Sequence, residues 1–230
     1  PARVRSDIAK DVPRTFPEHA LFAAHPSPAT RSLQRVLEAY ARRNPNIGYC
    51  QGLNFVAGLL LCVVEEEVAF WLLASLVEDI CPNYHTTNMS GLKIDLQVLE
   101  EVGNADLSKI HAHFEDIGGD LSLVCLPWLL TAFADSAPCR VTFRFWDMVF
   151  EVGAPAVLAL SLAMLLELEE KLLACDSISE VMDMMHRGTK EQQPRWEVVV
   201  GRAQRMCTGT GAVTYDRISM LREVRYAKLR

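Results

Sequence analysis

From Ala154 to Leu166 the chain is apolar apart from Ser161, and from Leu53 to Val64 it is apolar apart from Asn54. Both runs fall short of the roughly 18–20 residues that span a bilayer, so no transmembrane segment is expected. Segments apolar on nearly every side belong inside a helical core. The 230 residues, 50% hydrophobic and 23% charged, suffice for one large core or two small ones and lie far from disordered composition. Seven cysteines, at 50, 62, 81, 125, 139, 175 and 207, stand singly with no C-x-x-C pair. That spacing argues against a disulfide framework and a zinc site, and suits a reducing, cytoplasmic setting. The chain opens on Pro1 without a signal-peptide pattern, and the expectation is a domain trimmed from a longer protein.

Amphipathic patterns surround the two runs. Leu33, Val36, Leu37 and Tyr40 recur at i, i+3, i+4 and i+7, with Arg31, Gln34, Arg35, Glu38 and Arg42 opposite, which predicts a helix ending at Asn44-Pro45-Asn46. Leu53 to Val64 predicts a central buried helix, and Glu65-Glu66-Glu67 suits the acidic first turn of another that reaches Ile80. Further helices are predicted at about 93–102, 106–116 and 120–134, with Pro127 a kink or restart. Pro155 opens a long helix to about Ala174, and two or three more complete the chain. The stretch VTFRFWDMVF, 141–150, alternates as a strand would, yet no partner strand is in sight and it is assigned to helix. The fold class expected is all-α, a single multi-helix domain over residues 1–230.

Charge is uneven. Residues 1–50 carry eight Lys/Arg against four Asp/Glu, residues 51–180 five against twenty, and residues 181–230 ten against five. The acidic middle disfavours nucleic-acid binding, which needs a basic face with interleaved aromatics. In the last segment Arg217, Arg222, Arg225, Lys228 and Arg230 read as a solvated helix, with contact to an acidic surface as the alternative.

No Walker A motif or strand-borne G-x-G-x-x-G is present, and Gly209-Thr210-Gly211 is too short to cradle a nucleotide. His111 and His113 would point about 200° apart on a helix, so no metal site is expected. No G-x-S-x-G turn offers a nucleophile, and none of the seven cysteines stands in an obvious electropositive pocket. Two stretches remain. In DIAKDVPRTFP, residues 7–17, Pro13 and Pro17 stiffen the loop around Arg14, whose planar five-donor guanidinium suits phosphate oxygens. The competing reading is a surface ion pair of Arg14 with Asp11 at i, i+3. In YCQGLNF, residues 49–55, a helix beginning near Cys50 would align Gln51, Asn54 and Gly58 as a polar, small stripe, which equally suits close packing against another helix.

Taken together, the two stretches resemble the TBC domain of Rab GTPase-activating proteins, with Ile8, Asp11 and Arg14 matching I-x-x-D-x-x-R, and Tyr49 and Gln51 matching Y-x-Q. Thr15-Phe16-Pro17 and Gly52-Leu53-Asn54 follow as in that family, and the resemblance continues through GLKIDLQVLEEV, LPWLLTAFADSAP and FRFWDMVFEVG, from residue 8 to about 174. The family's opening R-x-x-x-W element is not found before Asp7. The resemblance implies Arg14 and Gln51 as catalytic fingers acting in trans on a GTP-bound Rab, with Asp11, Tyr49, Gly52, Asn54, Arg144, Trp146 and Asp147 as support. For the supporting residues, core packing or a local salt bridge is an equally good reading. It also implies that the chain holds no cofactor, since GTP and Mg²⁺ belong to the Rab. On this reading the chain is a GTPase activator rather than an enzyme acting alone, and it meets endomembranes through its partners. The rival of a different class is a catalytically silent module of the same fold that binds a Rab or an adaptor, and a purely structural helical scaffold is a third.

Overall fold

The computed structural model describes residues 2–191, 194–209 and 211–228, and of 186–191 the backbone course only. Thr210 and Arg230, each part of a stretch singled out above, lie outside the described residues. All described secondary structure is helical. Contacts within the chain divide into two compact units, Pro1–Ser90 and Gly91–Arg230.

The first unit contains α1 (Ala2–Asp11), a 3₁₀ turn (Val12–Arg14), α2 (Pro28–Arg43), α3 (Leu53–Leu60), α4 (Glu66–Ser75) and a π-helical turn (Leu76–Ile80). Its centre is α2, against which α1, the 3₁₀ turn, α3 and α4 all pack. The stripe Leu33, Val36, Leu37 and Tyr40 is buried, as its period predicts. At the start of α2 the Ser27 hydroxyl accepts from Thr30 N at 3.1 Å and the Thr30 hydroxyl accepts from Ser27 N at 2.8 Å, with Pro28 following. Such reciprocal caps satisfy two otherwise orphaned donors and are worth about 1 kcal/mol.

Three local outcomes differ from the sequence expectation. Residues 2–11, given no element above, form α1, which stops at Asp11 because Pro13 disfavours helical backbone at the residue before it. The apolar run from Leu53 is helical only to Leu60: the next bonds tighten to Cys62 N→Leu59 O and Val63 N→Leu60 O, and Val63 emerges 57% exposed. The helix after it widens at its end, where Cys81 N reaches back to Leu76 O at 2.8 Å.

The second unit contains α5 (Ser90–Gly103, opening at the division), α6 (Ser108–Asp116), α7 (Ser122–Thr131), α8 (Cys139–Val152), α9 (Ala154–Leu173), α10 (Ile178–Glu191), α11 (Trp196–Cys207) and α12 (Tyr215–Lys228). Here α9 is central, touched by α6, α7, α8, α11 and α12. Every residue from Ala154 to Leu165 is buried, and Ser161 satisfies its hydroxyl on Val157 O at 2.9 Å. The ambiguous 141–150 stretch is helical, within α8.

The predicted helix over 120–134 ends early, at Thr131, because Ala132 and Phe133 adopt left-handed φ of 45° and 65°. That reversal is held from α8, where Trp146 Nε1 donates to Ala132 O at 2.8 Å. The basic last helix is not simply solvated: Arg222 pairs with the buried Asp95 and Arg225 with Glu101, both on α5. Among the described residues no helix is long and apolar enough to cross a membrane.

Candidate functional site

Asp11, the last residue of α1, is 5% exposed, and a carboxylate so buried needs donors. The Tyr49 hydroxyl donates to its Oδ2 at 2.5 Å, and Arg14 Nη2 lies 2.5 Å from its Oδ1. Burial, then the bond to Asp11, pushes the Tyr49 phenol well above its ordinary pKa, so it remains a protonated donor at neutral pH. Arg14 therefore makes the i, i+3 ion pair considered above, yet its side chain stays 56% exposed against 7% for Asp11. One Nη contact leaves the remaining N–H groups of the fork uncommitted among the described residues.

Asn54, 1% exposed, fastens the second segment to the first. Its Oδ1 accepts from Gly52 N at 3.0 Å, and its Nδ2 donates to Thr15 Oγ1 at 2.9 Å. The Thr15 hydroxyl in turn donates to Asp11 O at 2.8 Å. Asp11, Tyr49, Asn54 and Thr15 thus form a continuous chain of bonds that ties the turn carrying Arg14 to the turn carrying Gln51.

Thr15 is the residue that sequence reasoning left without a role. Its signal was position: a hydroxyl directly after Arg14, spaced to reach a carbonyl four residues back. Gly58 makes the approach possible, because a Cβ there would lie 2.9 Å from Thr15 Cγ2.

Gln51 is not on a helix. Gly52, at φ 111°, breaks the backbone before α3 starts at Leu53, in a conformation that favours glycine. The expected stripe of Gln51, Asn54 and Gly58 is therefore split. Asn54 and Gly58 stay on α3 and meet the Thr15–Phe16 loop, while Gln51 is exposed in the turn. Among the described residues its side-chain amide has no hydrogen-bond partner. Chemically, the first unit presents a fixed cation over a buried carboxylate and, on a turn anchored to that same carboxylate through Tyr49, an open amide.

Arg144, Trp146 and Asp147 lie on α8 of the second unit. Arg144 pairs with Glu197, Trp146 is buried with its indole on Ala132 O, and Asp147 is exposed. Burial raises the thiol pKa of Cys50, Cys125, Cys175 and Cys207, the last to about 11, which is opposite to what a thiolate nucleophile requires. Among the described residues no group of three His, Cys, Asp or Glu is placed to hold a metal ion.

A family model described as the Rab-GTPase-TBC domain matches residues 2–173, across the division at Ser90. The human growth hormone-regulated TBC protein 1 is 35% identical over 190 residues, covering 82% of this chain and 56% of its own length. The human small G protein signaling modulator 3 is 35% identical over 200 residues, covering 86% of this chain and 27% of its own length. The chain thus spans only about half and about a quarter of these two relatives. Among solved structures, the Chlamydomonas flagellar RabGAP TBC domain is similar with a TM-score of 0.76 at 30% identity, over 86% of this chain and 66% of that one. The Ypt/Rab-GAP domain of Gyp1p shares the fold, with a TM-score of 0.73 at 19% identity over 88% of this chain and 72% of that one.

Proposed function

The chain belongs to the Rab-GTPase-TBC domain family, and from that premise we propose that it accelerates GTP hydrolysis by a Rab-type small GTPase, inserting Arg14 and Gln51 into the partner's site. A small GTPase alone is slow because charge builds on the transferring phosphoryl oxygens with little to offset it and because the attacking water is loosely held. An arginine supplied in trans answers the first defect and is worth about 10³–10⁵ in rate, or roughly 4–7 kcal/mol of barrier. A glutamine answers the second: its carbonyl accepts from the water and its amide donates, which aligns the attack.

The observation that carries this reading is the unequal state of the two partners in the Arg14–Asp11 pair. The carboxylate is buried and held by Tyr49, whereas the guanidinium is more than half exposed on a single contact. Arg14 can turn its free donors to a phosphate while Asp11 keeps its place. Gln51, tied to that scaffold through Tyr49 and Gly52, offers an amide without an internal competitor. Asp11, Tyr49, Gly52 and Asn54 act as positioning residues for the two turns, and the supporting part of Arg144, Trp146 and Asp147 stays within the second unit, on α8. Nucleotide and Mg²⁺ come with the GTPase, and recruitment to endomembranes follows the partner.

Single-turnover GTP hydrolysis across a panel of Rab proteins tests the reading with the wild type, Arg14→Lys, Gln51→Ala and Asn54→Ala. Both finger substitutions are expected to abolish most of the acceleration, and Asn54→Ala to reduce it less than Gln51→Ala. Acceleration that survives both finger substitutions would sink the mechanism. Rab binding without acceleration by the wild type would establish the silent module instead.

A further inference from the structure

We infer that a cleft between α8 and α11, in the second unit, is a binding site for a phosphomonoester or inorganic phosphate. The cleft has a volume of 470 Å³ and is lined by Arg140, Val141 and Arg144 from α8 and by Arg195, Trp196, Glu197 and Val200 at the start of α11. That volume lies within the range of small-ligand sites. Three guanidiniums and a single carboxylate line it, in a protein whose formal net charge is −6.

The three arginines are in different states. Arg195 is fixed: its Nε and Nη2 grip Glu167 at 2.8 and 3.2 Å, and that carboxylate is only 6% exposed. Arg144 is held by Glu197, in a pair whose side chains are 48% and 79% exposed. An ion pair so open to water is weak and readily exchanged. Arg140 is exposed and has no ion-pair partner among the described residues. The cleft therefore offers one uncommitted fork, one fork whose carboxylate is replaceable, and a third that is anchored on a buried carboxylate.

A carboxylate ligand would repeat what Glu197 and Glu167 already do, one carboxylate to one arginine. A phosphate group, carrying about −1.5 to −2 charge and three strong acceptor oxygens, can be shared by two forks at once and displace Glu197 from Arg144. Its apolar neighbours, Val141, Val200 and the Trp196 ring, strengthen those bonds by excluding water on one side.

The test uses the whole chain, its Arg140→Gln and Glu197→Gln variants, and probes held at constant ionic strength. Isothermal titration with inorganic phosphate, and with acetate as the carboxylate control, reads the free anion. Co-sedimentation with phosphatidylcholine vesicles, with and without phosphatidic acid, reads a phosphomonoester headgroup. The expected result is saturable binding of phosphate or of the phosphatidic acid vesicles, weakened about tenfold or more by Arg140→Gln and tightened severalfold by Glu197→Gln. Preference for the vesicles assigns a lipid headgroup, and preference for free phosphate a soluble ligand. The inference is overturned if neither probe saturates, if acetate binds as tightly, if Arg140→Gln binds like the wild type, or if Glu197→Gln weakens binding. Both substituted side chains are exposed, and unchanged thermal melting would show that the variants are folded.

Discussion

Two arginine–aspartate pairs, one in each unit, put the same chemistry to opposite ends. Arg222 closes both arms of its fork on Asp95, with side-chain exposures of 19% and 1%. Arg14 meets Asp11 through one nitrogen and stays 56% exposed, while the other carboxylate oxygen is taken by Tyr49. The first arrangement leaves the arginine little capacity for an external ligand and fastens α12 to α5. In the second, the tyrosine takes over part of the carboxylate's demand, which leaves most of the arginine's donors open to an external ligand. The difference shows how a buried acid can anchor a cation without consuming it.

The contrast is broken most severely by Arg14→Ala. In single-turnover hydrolysis with the responsive Rab, the expected loss is about 10³–10⁵ in rate, with a loss of stability smaller than that of Arg222→Ala because Tyr49 still donates to Asp11 once the exposed guanidinium is gone. Next is Arg222→Ala, which leaves Asp95 buried without its bidentate partner. Chemical denaturation should register a loss of about 3–5 kcal/mol, while residual folded protein retains its rate. Equal effects of the two substitutions on both measurements would erase the distinction.

Tyr49→Phe should fall between them. It removes one donor from a buried carboxylate, an expected cost of about 1–3 kcal/mol in stability, and it lowers the rate as Asp11 draws Arg14 closer. The smallest effect belongs to an exposed counterpart, Arg35 with Glu66, which is bidentate but has side chains 58% and 42% exposed. Bonds from Arg35 and Ser32 hold the Glu66 carboxyl at about 2, below its ordinary 4.5. Because the folded value is depressed, the pair's contribution is complete above about pH 4.5 and disappears as pH falls towards 2. Glu66→Gln should flatten only a slight part of the melting-temperature profile across that window, since solvent screens the pair.

Much of this architecture was legible from the chain. The α2 stripe and the apolar run of α9 announce themselves because burial of one face, or of all faces, is written into spacing. The reversal after Thr131 was hidden: apolar residues continue to Ala134, and the indole that stabilises the left-handed backbone arrives from Trp146, on another helix. At the candidate site, the motif pair pointed to Arg14 and Gln51, and the local rules pointed to an Asp11 ion pair that is indeed present. What spacing could not convey was the division of labour across Gly52. A single positive φ places Gln51 in water and Asn54 in the core, three residues apart. Thr15 escaped for the same reason, since its value depends on an amide reaching it from α3.

The bonds Tyr49–Asp11 and Asn54–Thr15 join residues 38 and 39 positions apart. Closing so long a loop is entropically costly until the helix inside it, α2, has formed and docked. The joining of the two turns is therefore expected late in folding, and their parting early in unfolding. If Arg14 and Gln51 act as proposed, activity should fade under mild denaturant while most of the helical signal persists, because the register of the two turns is lost before the helices that carry them.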